Sequence, residues 1–189
     1  CCGLFFVMYH ANIDFMSFSY EYFLRALMKG KGLEMFMAQR IALITGGGKR
    51  IGAATASLLM NNGWFVFIHV RNSVAEAEEI ISQFEQQNSS KAPAEILRAD
   101  LNSDGALEAL IQTICEHDIV KTNGGLHALI HNASIYSSID VEDVSVEELQ
   151  KNLKLHVEVP FILTLGLIWL NYKSSKEEET QNDNNTDIF

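Results

Sequence analysis

Cysteine is scarce in this chain. Of 189 residues only three are cysteines: Cys1 and Cys2 side by side at the beginning, and Cys115 alone in a helical segment. That is neither a disulfide framework nor a metal-ligand spacing, and it points to a reducing, cytoplasmic setting with no bound metal. Positive charge is scarce as well. Fourteen Lys and Arg stand against 24 Asp and Glu, a net charge of −10. Nucleic-acid binding needs clustered cations for the phosphates, so this balance argues against it. Long apolar runs are missing too. Cys1 to Met8 is apolar, but His10, Asn12 and Asp14 interrupt it, and a membrane span needs about 20 mostly apolar residues. No basic stretch precedes the run, as a secretory signal would require.

What is present suits one globular domain of moderate size: 48% hydrophobic and 20% charged residues. The chain opens on Cys1 rather than Met, and Met37-Ala38-Gln39-Arg40 reads as a natural start. Residues 1–36 are therefore expected outside the functional domain, with Phe15 to Met28 an aromatic-rich amphipathic helix. The domain is expected over 37–172. From Lys173 to Phe189 the chain turns to Ser, Lys, Glu, Asn, Asp and Thr, the composition of a disordered tail.

Within the domain, strands and helices alternate. The spacing predicts strands at 40–45, 64–70, 94–99 and 126–130, with helices near 50–62, 73–87 and 103–117. Asn61-Asn62-Gly63 closes the first helix, Ser73 is a candidate N-cap for the second, and Asn123-Gly124-Gly125 is a turn. Trp64 to Val70 is a continuous apolar run, as a parallel strand buried on both faces requires. Ser145-Val146-Glu147-Glu148 opens a last helix running toward Trp169. The pattern predicts an α/β fold, a parallel sheet with helices on both faces.

The chemistry begins at Ile41-Ala42-Leu43-Ile44-Thr45-Gly46-Gly47-Gly48-Lys49-Arg50-Ile51-Gly52. A strand enters a glycine turn and a small-residue helix leaves it, the geometry that holds a dinucleotide phosphate on helix N–H groups. The other reading is a plain structural turn. At the end of the second strand, Ile68-His69-Val70-Arg71-Asn72-Ser73 has no acid to hold a ribose 2′-hydroxyl. Arg71 offers a fork for a 2′-phosphate instead, with Lys49 and Arg50 close by, so NADP is expected over NAD. Arg71 as a solvated surface residue is the alternative. Asp100, before Leu101, ends the third strand. It is expected either to accept from the adenine amino group or to cap the next helix. Asn132, in His131-Asn132-Ala133-Ser134, either pins neighbouring backbone at the groove or is a simple turn residue.

Taken together and in this order, Thr45 to Gly52, Arg71, Asp100-Leu101 and Asn132-Ala133-Ser134 resemble the short-chain dehydrogenase/reductases over about Arg40 to Thr164. Arg50 and Ser134 stand where most of that family has glycine. With His69 to Ser73 they resemble the pteridine reductase and dihydromonapterin/dihydrofolate reductase branch. The resemblance implies a Rossmann-type doubly wound sheet, strand order 3-2-1-4, and hydride transfer from NADPH to a pterin or dihydrofolate. It implies cofactor contacts from Thr45, Gly46, Lys49, Arg50, Ile51, Gly52, Arg71, Asn72, Ser73, Asp100, Leu101, Asn132 and Ala133. Ser134 and Tyr136 would meet the substrate, although Tyr136 also reads as a loop aromatic covering the core. A 3-oxoacyl-carrier or other carbonyl reductase is the alternative within the class. The family is usually homo-oligomeric.

The family's catalytic Tyr-x-x-x-Lys pair is the point of departure. Tyr172 and Lys176 match the spacing, but Tyr172 follows Thr164 by only eight positions, too few for a strand, its Ser and a long loop. The match is read as coincidental, no catalytic residue is assigned, and the sheet is expected to be incomplete. His156 stands where the family commonly has Asn. A non-catalytic NADP-binding remnant is the reading from another class.

Overall fold

The computed structural model describes residues 5–7, 39–135 and 140–168. The Phe15–Met28 helix, the start at Met37, Tyr136, Tyr172, Lys176 and the tail from 173 lie outside the described residues.

The elements in order are β1 (Phe5–Val7), β2 (Ile41–Ile44), α1 (Arg50–Asn61), β3 (Phe65–Val70), α2 (Val74–Asn88), β4 (Ala94–Arg98), α3 (Ala106–Glu116), α4 (Asp118–Thr122), β5 (Ala128–His131) and α5 (Val146–Leu153). A π-helical turn, Lys154–Glu158, continues α5, and helix runs on through 159–168. Four strands are parallel in the order β5-β2-β3-β4. This is the predicted order, with a Rossmann-type layering of helices around it.

The period of two in a strand explains the layering. Val66, Ile68 and Val70 of β3 join Ala56 and Met60 of α1 and Ala77 and Ile80 of α2 in one buried cluster. Phe67, with Ile41 and Leu43 of β2, joins the other cluster. There they meet Leu107, Leu110 and Ile114 of α3, and Leu155, Val159, Leu163 and Leu167 of the last helix. Both sheet faces are covered, so β3 reads as an apolar run interrupted only by His69.

The fold departs from expectation at three places. Residues 5–7, from the segment expected outside the domain, pair antiparallel with β5, Phe5 opposite His131 and Val7 opposite Leu129. The backbone groups on that side of β5 find partners in the chain's own N-terminal segment, as an unpaired edge demands, and the sheet is mixed rather than wholly parallel. Asp100 does not cap α3. Gly105 holds that position, and an Asp100 carboxylate oxygen accepts the Asn102 N–H at 3.0 Å in a local turn. Ser73 precedes α2, but its side chain makes no cap bond there. Ser145 does cap α5, accepting from the Glu148 N–H at 3.2 Å.

Candidate cofactor site

The site lies where β2, β3, β4 and β5 end, the carboxyl edge at which ligands of such sheets bind. Gly46 leaves β2 at φ +65°, and a Cβ there would stand 2.9 Å from the Ala133 Cα. At Gly52, in the first turn of α1, a Cβ would collide with the Gly46 carbonyl and the Asn132 amide. These close approaches bring backbone against backbone and leave the mouth of α1 open. Lys49 precedes α1 without a side-chain cap bond, and its first turn holds no acid. The first turn therefore supplies no counter-charge of its own to the free N–H groups and the positive end of the helix dipole. A phosphate group fits that position. Arg50, where the helix begins, sits at φ +51°. This left-handed backbone costs a side chain about 1 kcal/mol, and glycine adopts it freely.

Thr45 and Asn132 brace the turn from behind. The Thr45 hydroxyl is 2% exposed and accepts the N–H groups of Asn132 at 3.0 Å and Ala133 at 3.1 Å. The Asn132 side chain donates to the Thr45 carbonyl at 3.0 Å and the Gly46 carbonyl at 2.8 Å. Of the two roles open to Asn132, it takes the bracing one. Thr45 is interior and does not line the cavity.

A cavity of about 370 Å³ opens at this edge. It brings together nine of the residues expected there: Gly46, Lys49, Arg71, Asn72, Ser73, Asp100, Leu101, Ala133 and Ser134. Arg50, Ile51, Gly52, Thr45 and Asn132 stay outside its lining. The Lys49 ammonium reaches Glu76 at 2.7 Å, and this bond holds the Glu76 carboxyl below the usual range. The pair is exposed, so a bound anion competes with it cheaply. The Arg98 guanidinium donates to the Arg71 carbonyl at 3.3 Å, and both arginines line an adjoining recess with Asp100.

His69, Ala99, Asn102, Ile135 and Leu155 also line the cavity, and sequence reasoning misses them. Along the chain His69 reads as part of an apolar strand. The signal that could have found it is a titratable side chain at the end of a run otherwise buried on both faces. The other four arrive by tertiary packing. On the far side, the Ser134 hydroxyl lies 3.1 Å from His156 Nε2, and His156 Nδ1 lies 3.0 Å from the Asn152 carbonyl. That carbonyl accepts, so His156 Nδ1 carries a proton, and the Ser134 hydroxyl also reaches the Ile135 carbonyl at 3.5 Å. His156 sits within the π-helical turn, a distortion frequent at functional sites.

Comparison with known proteins agrees with this geometry. An uncharacterized oxidoreductase of Escherichia coli K12, YgfF, is 31% identical over 65% of this chain and 47% of its own length. The dihydromonapterin reductase of Enterobacter sp. strain 638 is 32% identical over 68% of this chain and 48% of its own. The chain thus spans about half the length of these relatives. The crystal structure of FolM, alternative dihydrofolate reductase 1 from Brucella canis, complexed with NADP, superposes with a TM-score of 0.57 at 26% identity, covering 70% of this chain and 49% of that one. The short chain dehydrogenase family model matches residues 40–174, and the chain belongs to that family.

Proposed function

We propose that the chain is the nucleotide-binding part of an NADPH-dependent reductase acting on a pterin or dihydrofolate. One observation carries the cofactor reading: Lys49, which precedes the acid-free first turn of α1, and Arg71 at the exit of β3 border one cavity, with no carboxylate at the end of β3. Bound there, NADPH would supply a hydride. The chain's own residues bind and orient. The backbone around Lys49 to Gly52 receives the phosphates, Arg71 and Ser73 the 2′-phosphate, and the free side of Asp100 the adenine amino group. Ala133 borders the inner ribose, and Ser134 faces the substrate. None of the chain's five tyrosines lies among the described residues, and the proton donor of the reduction is left unassigned. The similarity to dihydromonapterin reductase supports the pterin assignment, as does Ser134 held by His156.

Titration with NADPH and NADH, followed by nucleotide fluorescence, tests the reading. A charge-assisted pair to the 2′-phosphate predicts roughly 10- to 100-fold tighter binding of NADPH, lost in Arg71→Ala. Equal affinities would overturn the cofactor assignment. With NADPH present, binding of dihydrobiopterin or dihydrofolate is expected, and preference for an acetoacetyl thioester would replace the substrate class. The same reading seats a second copy on Leu149, Leu153, Val157, Phe161 and Leu165. Spaced every fourth residue along the last helix, they are between 51 and 64% exposed. Sedimentation velocity of Phe161→Asp, expected to be monomeric, tests it.

A further inference from the structure

His69 is 2% exposed, yet it is polar on every side that matters. Its Nδ1 accepts the Gly46 N–H at 3.3 Å, and its Nε2 faces the Ala99 carbonyl at 3.1 Å. Its own carbonyl accepts the Gly47 N–H at 2.8 Å. One residue therefore joins three segments: the glycine turn after β2, the end of β3, and the exit of β4 that carries Asp100 and Leu101. These segments wall the cavity. The pattern admits a single neutral tautomer. A carbonyl faces Nε2, so Nε2 bears the proton, and an N–H points at Nδ1, so Nδ1 stays bare. A second proton would set N–H against N–H at Gly46.

We propose that His69 is a positioning residue of the nucleotide cradle, whose neutral Nε2–H ring holds the glycine turn and the β4 exit at the separation the cofactor needs. The inference rests on the reading of this cavity as the NADP site. It has a consequence for the phosphates. The N–H groups of Gly46 and Gly47 are both engaged by His69, so the phosphates are left the later N–H groups of the turn and of α1. It also makes the cradle acid-sensitive. Burial, outweighing the Ala99 bond and the nearby Asp100 charge, holds the His69 pKa below its ordinary value. The charged groups around the same walls are Lys49, Arg71, Arg98 and Asp100.

The experiment uses the full chain, NADP+ as probe, and calorimetric titration from pH 5 to 8.5, on wild type, His69→Phe and His69→Asn. Asn places an oxygen where Nδ1 was, keeping the Gly46 bond without a titrating ring. Expected at pH 8 is a loss of at least tenfold in affinity for His69→Phe and a smaller loss for His69→Asn. Below pH 6.5 the wild type should weaken more steeply than His69→Asn, whose profile carries only the 2′-phosphate titration. Nitrogen-15 spectra of the wild-type imidazoles should show an Nε2–H tautomer for His69. If His69→Phe does not fold, the Asn comparison and the spectra decide. An Nδ1–H tautomer, or identical affinities and pH profiles in wild type and His69→Asn, overturns the role of His69 while leaving the NADP site standing. Failure of wild type to bind NADP+ at any pH overturns both.

Discussion

The two flanks of the cavity are built differently. On the cofactor flank, hydrogen bonds from Thr45, His69 and Asn132 hold the glycine turn on three sides, and side chains too small to interfere allow backbone to touch backbone. On the flank proposed for the substrate, Ser134 is exposed and its hydroxyl reaches His156 and the neighbouring Ile135 carbonyl, and the helix beyond it shows an apolar stripe to solvent. A phosphate cradle is a local object, made by a few consecutive residues and the strand ends beneath them. A substrate surface draws on segments far apart in the chain, so few of its bonds can be closed within 134–168.

Four predictions probe that contrast. The largest effect is expected at the seam between the flanks. Among the described residues His131, buried at the end of β5, has only Thr164 as a partner for Nε2 at 3.1 Å, and its Nδ1 has none. Burial pushes its pKa down to about 4. A histidine whose folded pKa is depressed is stabilising above its unfolded value, and that stability is lost as pH falls from about 6.5 to about 4. His131 alone accounts for about 3 kcal/mol in that window. Burial lowers His69 and His127 in the same direction. Urea unfolding at pH 7.5 and 4.5 measures the loss, and equal stabilities would refute it.

Next is Gly52→Ala, where the new Cβ meets the Gly46 carbonyl, a backbone atom that cannot step aside. A cost of about 2 kcal/mol and loss of NADP+ binding are expected. A variant as stable as wild type would show that the cradle is looser than its geometry. Asn132→Ala should cost about 1.5 kcal/mol, because it leaves two carbonyls of the turn unpaired. By contrast Ser134→Ala, on the open flank, should change the melting temperature little while weakening pterin binding. If both variants lost stability alike, the contrast between flanks would fail. The smallest effect has the opposite sign. Arg50→Gly removes a side chain from left-handed backbone and should stabilise by about 1 kcal/mol while weakening NADPH in a salt-dependent way, as thermal melts and titrations at two ionic strengths would show.

Much of the fold was legible along the chain. The apolar run of β3, the glycine turn and the Ser145 cap are local signals, and the strand order came with the family resemblance those signals carry. The residues meeting in the cavity were legible where they end strands: Gly46, Arg71, Asp100 and Ala133. Asp100 as a helix cap was not, because Gly105 begins α3 later and the Asp100 carboxylate closes its own turn with Asn102. Nor were Phe5 to Val7, whose partner on β5 lies more than 120 residues away. A pairing of that span leaves no periodic mark in either segment.

The sequence by itself determined where the chain must turn without side chains and which strand end offers a cation instead of a carboxylate. It also determined that both sheet faces must be covered. These follow from residue type and spacing, which act over a few positions. Only the tertiary structure decided that His69 is a joint as well as a strand residue, that Thr45 supports the cradle from within, and that the Ser134 hydroxyl lies against His156. Each of those roles is a hydrogen bond between residues 22 to 88 positions apart. The buried ones among them exist only once packing has excluded water and left each donor an acceptor to find.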